Sequence, residues 1–149
     1  MKTNSGITVL MADDDPDDCL LTQDAWDDCK IENELRFVHD GEELLAYLRH
    51  KGKYCDPATA PRPGLILLDL NMPRMDGREA LAEIKGDPNL RQIPVVVLTT
   101  SSVDEDILRA YDLGVSSFVT KPVTFDRLMK TIGDLGNYWL KLVELPPVV

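Results

Sequence analysis

The stretch LILLDLNMP, residues 65–73, runs through four apolar side chains and meets an aspartate, Asp69, near the end of the run. A short run of consecutive rather than alternating apolar residues, Leu65 to Leu70, fits a strand buried on both faces, as in a parallel sheet. Four similar runs flank it: Ile7 to Ala12, Leu35 to Val38, Val95 to Thr99 and Phe118 to Thr120. The stretches between them are amphipathic. Three carry a capping box at their start, Asp40 with Glu43, Asp76 with Glu79 and Ser102 with Glu105, which marks helix N-termini. Gly52, Gly86 and Gly114 stand where the second, third and fourth helices should stop, because glycine tolerates the left-handed backbone of a C-terminal cap. The last helix starts near Thr124 and presents Phe125, Leu128, Met129, Ile132, Leu135, Trp139 and Leu142 at helical spacing. Five strands alternating with five helices predict a doubly wound α/β fold, a five-stranded parallel sheet covered on both faces. In such a fold the site lies at the carboxyl ends of the strands, where neighbouring loops diverge.

The chain has 149 residues, enough for one domain. Hydrophobic residues make up 44% and charged residues 28%, a globular rather than disordered balance. A net charge of -10 argues against nucleic acid as a partner, since such binding needs Lys and Arg to displace counterions. Cys19, Cys29 and Cys55 are odd in number and widely spaced, so neither a disulfide framework nor a zinc site is expected, and a cytoplasmic location is. The first apolar run is too short for a signal-peptide core, and no membrane span is expected. The irregular stretch from Lys53 to Gly64 contains Pro57, Pro61 and Pro63 and reads either as a partner-binding loop or as a solvated connection.

Asp13 and Asp14 follow the first strand directly, and Asp69 ends the third, so all three are expected in one crevice. Clustered carboxylates raise one another's pKa unless a cation sits among them, and hard oxygen ligands beside a phosphate suit Mg²⁺. Thr99 ends the fourth strand and Lys121 follows the fifth, adding a hydroxyl and an ammonium at the same edge. Carboxylates, a hydroxyl and an ammonium together point to phosphoryl chemistry. Taken singly, Asp15 and Asp17 read as helix caps, Thr99 as a strand residue and Lys121 as a solvated charge. A calcium loop through Asp13, Asp15, Asp17 and Asp24 fails on context: Asp18 replaces the turn glycine, Pro16 interrupts the ligands, and a strand precedes them. His39 and His50 accompany no Cys or carboxylate at ligand spacing and are expected at the surface.

With DD at 13–14, LLDLNMPRMDG at 67–77, VLTTS at 97–101 and FVTKPV at 118–123, the chain resembles the two-component response regulator receiver family from about Ile7 to Leu142. The resemblance implies a flavodoxin-like sheet in the order 2-1-3-4-5, with an apolar tail over 143–149. It implies that Asp69 is the phosphoacceptor, that Asp14 ligates the metal directly and Asp13 through water, and that the Asn71 main-chain carbonyl completes the protein's share. It further implies that Thr99 moves toward the phosphoryl group, that Phe118 rotates inward behind it, that Lys121 contacts a phosphoryl oxygen, and that Lys121-Pro122 is a cis peptide. Phe118 stands in place of a frequent tyrosine, and Thr100 where many receivers carry alanine.

EIKGDPNLRQIPVVVLTTS at 83–101 and YWLKLVELP at 138–146 look like the small regulators that accompany bacterial phytochrome kinases. That narrower likeness implies a light-sensing histidine kinase as partner, and output through a downstream effector or phosphotransfer protein. It also implies a homodimer through the fourth helix, fifth strand and fifth helix or through Tyr138, Trp139, Leu142, Val143, Leu145 and Pro146; a last helix packing on its own sheet is the alternative. Two rivals are weighed: an aspartyl-phosphate phosphatase, which expects a carboxylate where Asn71 stands, and a receiver-like module that binds without phosphorylation.

Overall fold

In the computed structural model, which describes residues 6–101 and 103–147, the five apolar runs pair in parallel in the order β2-β1-β3-β4-β5. The strands are β1 (Val9–Ala12), β2 (Leu35–Val38), β3 (Leu65–Leu68), β4 (Val95–Thr99) and β5 (Ser117–Thr120). The helices are α1 (Pro16–Asp28), α2 (Gly41–Leu48), α3 (Gly77–Gly86), α4 (Asp104–Leu113) and α5 (Phe125–Gly136). Alternation along each central strand sends side chains to two cores. Leu10, Ala12, Ile66, Leu68, Val95 and Val97 pack with Leu44, Leu81, Ile84 and Ala110 from α2, α3 and α4. Val9, Met11, Leu65, Leu67, Val96 and Leu98 pack with Ala25, Trp26 and Ile132 from α1 and α5. Burial on both faces explains why β1, β3 and β4 read as continuous apolar runs, whereas the edge strands β2 and β5 are only partly covered.

The caps follow from side chains. Asp40 accepts from the Glu43 amide at 2.8 Å, Asp76 from the Glu79 amide at 3.1 Å and Thr124 from the Arg127 amide at 3.3 Å. The third expected box is not where it was placed: α4 takes Val103 as its N-cap without a side-chain bond, and Ser102 lies outside the described residues. Gly114 ends α4 with φ 103°, as expected of a left-handed cap. Gly52 does not end α2. That helix stops at Leu48, His50 takes the left-handed turn at φ 53°, and Gly52 opens a short 3₁₀ turn, Gly52–Tyr54. The stretch after it is packed rather than loose, with Ala60 buried and the Tyr47 hydroxyl and a His50 ring nitrogen both on its carbonyls.

The C-terminal helix departs from a regular period. After α5 a π turn spans Asn137–Leu142 and shifts the inward face by one residue. Leu140 and Leu145 are therefore buried, and Leu142, expected on the inward face, is 73% exposed. Trp139 and Val143 pack against the second core, while Tyr138 stays exposed. Among the described residues no helix is long and apolar enough to cross a membrane.

Candidate functional site at the carboxyl edge of the sheet

Register brings the acidic residues together. Ala12 pairs with Leu68, so Asp13 and Asp69 leave adjacent strands at the same level, and the Asp69 amide donates to the Ala12 carbonyl at 3.0 Å. Thr99 pairs with Thr120, and the Lys121 amide donates to the Thr99 carbonyl at 2.7 Å, which delivers Lys121 to the same edge. The strand order reverses direction between β1 and β3, the place where crevices open in such sheets.

Within the crevice, Asp13 and Thr99 are fully buried and the Asp69 side chain is 7% exposed. The Asp69 Oδ1 accepts from Thr99 Oγ1 at 2.7 Å and from the Asn71 amide at 3.0 Å. The Lys121 ammonium donates to Asp13 Oδ2, to Asp18 Oδ2 at 2.7 Å and to Asp69 Oδ2 at 2.9 Å. Asp14 is exposed, and one oxygen from each of Asp13, Asp14 and Asp69 lies within 4.8 Å of the others. These are hard donors, and the set fits a divalent cation.

The electrostatics agree with that fit. Burial pushes the Asp13 carboxyl above its ordinary value, against the lowering pull of Lys121 and the Asp15 amide. Burial alone would lower Lys121, but its bonds to Asp13, Asp18 and Asp69 outweigh it and hold the ammonium protonated well above the usual range. Burial thus acts on both groups, raising Asp13 outright and being outweighed at Lys121 by its three carboxylate partners. The Cys19 thiol, on the Asp13 carbonyl at 3.6 Å, is pushed up to about 12 by burial and by Asp13, so it is inert as a nucleophile.

The structure thus gathers Asp13, Asp14, Asp69, Thr99 and Lys121. Asp15 is the N-cap of α1, accepting from the Asp17 amide at 2.9 Å. Phe118 is half-buried against the core beneath α3 and α4. The expectation of a cis Lys121-Pro122 bond is not met: among the described residues every peptide is trans. Trans is the favoured isomer by about 0.5–1 kcal/mol, and the ammonium already reaches its carboxylates from it. His39 is exposed, yet its ring Nδ1 lies 3.1 Å from the Asp13 carbonyl, a contact the spacing did not announce.

Two participants were not anticipated. Asp18 joins the lysine from the first turn of α1; its signal was an acidic residue one turn beyond Asp14, read only as part of a failed calcium loop. Arg78, at the start of α3, forks onto both oxygens of Asp106 in α4 at 2.8 and 2.7 Å, and Ser101 Oγ donates to Asp106 Oδ2 at 2.6 Å. Those bonds hold the Asp106 carboxyl down at about 2, the arginine contributing most. Glycine is required at the joint between the two groups: a Cβ on Gly77 would overlap the Asp69 carbonyl oxygen and come within 2.6 Å of Leu70 Cα.

Comparison with known proteins agrees with this geometry. The family model of the response regulator receiver domain matches residues 9–133. Response regulator Rcp1 of Synechocystis sp. is 41% identical over 145 residues, covering 97% of each chain. The crystal structure of its Mn²⁺-bound form superposes with a TM-score of 0.86 at 41% identity, covering 95% of this chain and 99% of that one. The crystal structure of the phosphorylated cyanobacterial phytochrome response regulator RcpA gives a TM-score of 0.88 at 43% identity, with the same coverage.

Proposed function

The chain belongs to the response regulator receiver family, and on that premise we propose that Asp69 accepts a phosphoryl group from the phosphohistidine of a histidine kinase, in a site that also takes Mg²⁺. One observation carries the reading: a nearly buried carboxylate is held by a hydroxyl on one oxygen and an ammonium on the other, beside two further carboxylates. A carboxylate oxygen of Asp69 attacks phosphorus. The electron pair of the P–N bond stays with the imidazole, which takes up a proton from solvent, and an acyl phosphate remains on Asp69.

Lys121 then exchanges a carboxylate for a phosphoryl oxygen, and the Thr99 hydroxyl donates to another. Phe118 turns inward behind Thr99, so the change at Asp69 reaches α4 and β5. Asp13, Asp14, Asp69 and the Asn71 carbonyl would hold the metal, which when bound supplies positive charge against the phosphoryl oxygens. Asn71, rather than an acid, stands two residues after Asp69, which leaves the phosphatase rival without its general acid.

The Mn²⁺-bound Rcp1 and the phosphorylated RcpA support the reading. The likeness to phytochrome-associated regulators makes a light-sensing histidine kinase the proposed donor, with an effector or phosphotransfer protein downstream and the cytoplasm as the proposed location of this chain. Tyr138 and Leu142, exposed on the π turn, are the proposed apolar surface for a second copy. The experiment is intact mass after incubation with acetyl phosphate, in Mg²⁺ or EDTA, for the wild type and Asp69→Asn. A Mg²⁺-dependent gain of one phosphoryl group in the wild type, absent in the variant, is expected. Equal labelling of both would remove Asp69 from the role.

A further inference from the structure

The fork between Arg78 and Asp106 lies outside the phosphoryl site and yet is tied to it by an unbroken series of polar contacts. Asp69 Oδ1 accepts from Thr99 Oγ1 at 2.7 Å, the Ser101 amide points at that same hydroxyl at 3.5 Å, and Ser101 Oγ donates to Asp106 at 2.6 Å. Asp106 is gripped by Arg78 through two parallel bonds, and Arg78 Nη1 returns to the Leu70 carbonyl, one residue past Asp69, at 3.4 Å. Both ends of the series therefore rest on the backbone or side chain of the phosphoacceptor segment.

The helix held in this way has few apolar anchors besides, namely Ala110 and, partly buried against the first core, Leu113. In α4 only Ala110 is buried among the described residues, whereas α2 buries Gly41, Leu44, Leu45, Tyr47 and Leu48, and α3 buries Gly77, Ala80, Leu81 and Ile84. Leu108 is 66% exposed and Tyr111 49% exposed, and the N-cap Val103 offers no side-chain bond. A helix with one buried residue gains little from apolar burial, so polar bonds to its first turn carry a large share of its placement. Two parallel bonds from a guanidinium to a carboxylate also fix direction, which a point charge does not.

We propose that Arg78, Asp106 and Ser101 form a clasp that holds α4 in the resting arrangement and opposes acyl-phosphate formation at Asp69; Arg78 and Asp106 are thus positioning residues that act through Thr99. The inference rests on Asp69 as phosphoacceptor. In the resting arrangement Thr99 spends its hydroxyl proton on Asp69. A phosphoryl group on that carboxylate moves the acceptor oxygens outward, Thr99 follows, and Ser101 is drawn from Asp106 or draws Asp106 from Arg78. Energy stored in the clasp is energy the phosphorylated arrangement must overcome, so weakening the clasp shifts the equilibrium toward that arrangement.

The test measures beryllofluoride affinity in Mg²⁺ by titration calorimetry, and amide exchange in α4 without beryllofluoride. It compares the wild type with Arg78→Ala, Asp106→Ala and the double variant; Arg78→Lys, which keeps the charge and loses the fork, guards against loss of fold. Each single variant is expected to bind about fivefold more tightly or better, the double variant no more tightly than either single, and α4 to exchange faster in all. Unchanged or weaker beryllofluoride affinity with faster exchange would overturn the coupling and leave a mere tether, and unchanged exchange would overturn the clasp. A wild type that binds no beryllofluoride would instead sink the phosphoacceptor reading and the coupling built on it, while exchange would still decide whether the fork restrains α4.

Discussion

Around Lys121 three carboxylates share one ammonium, with Asp14 close by, while Arg78 forks onto Asp106 and also has Asp76 at 3.6 Å. Both groups sit at the carboxyl edge of the sheet, and both are partly shielded from solvent. In the first, burial pushes the Asp13 carboxyl up even though Lys121 pulls it down, and the three carboxylates raise Lys121 in turn. In the second, better exposed to solvent, bonds from Arg78 and Ser101 hold the Asp106 carboxyl down at about 2. The lesson is that burial, rather than acidity, separates a place suited to a cation and a phosphoryl group from a place that holds two helices together: Asp13 is fully buried, whereas the Asp106 side chain keeps 18% of its surface in solvent.

The largest expected effect comes from removing the ammonium. Lys121→Met leaves Asp13 and Asp69 facing each other without a counter-charge, and without Mg²⁺ the fold should lose about 3 kcal/mol, as for a broken buried pair. Mg²⁺ at a hundredfold its Kd should restore about 2.7 kcal/mol by linkage. Urea unfolding with and without Mg²⁺ measures both. Arg78→Met should lose less and gain from Mg²⁺ no more than the wild type does; a larger gain would erase the distinction between the groups.

Gly77→Ala probes the joint that serves both. The added methyl meets backbone atoms of Asp69 and Leu70, which have little room to retreat, so a loss of about 1–3 kcal/mol is expected. Phosphoryl uptake and the placement of α4 should suffer together. A variant as stable as the wild type in urea would show that the backbone yields there.

The smallest effect is a pH slope. Asp106 is depressed in the fold, so its contribution is present above the ordinary value of 3.8 and is lost as pH falls through about 2. Solvent around the pair limits that contribution to below about 1 kcal/mol. Stability measured between pH 4 and 2 should fall less steeply in Arg78→Met than in the wild type. Parallel curves would mean that the fork adds nothing to the folded state.

The five strands, the Asp40 and Asp76 caps, the Gly114 stop and the gathering of Asp13, Asp14, Asp69, Thr99 and Lys121 were all legible in the order of the residues. Each depends on neighbours a few positions away or on the rule that parallel strands end at one edge. Asp18 was visible as an acidic residue in a first turn, but nothing local says that it turns toward Lys121, 103 positions along the chain. The bond before Pro122 is trans although the family resemblance implies cis: an X-Pro peptide permits cis, but nothing in the neighbouring residues requires it.

Amphipathic patterning and short apolar runs by themselves determined the parallel sheet, the two cores and the carboxylate edge, because hydrophobic burial at a given period admits few arrangements. Only the tertiary structure decided that Arg78 meets Asp106, since the pair spans 28 positions and forms where α3 and α4 lie side by side. It also decided that a π turn carries Leu140 inward in place of Leu142, because the end of the last helix is set by what it packs against rather than by its own period.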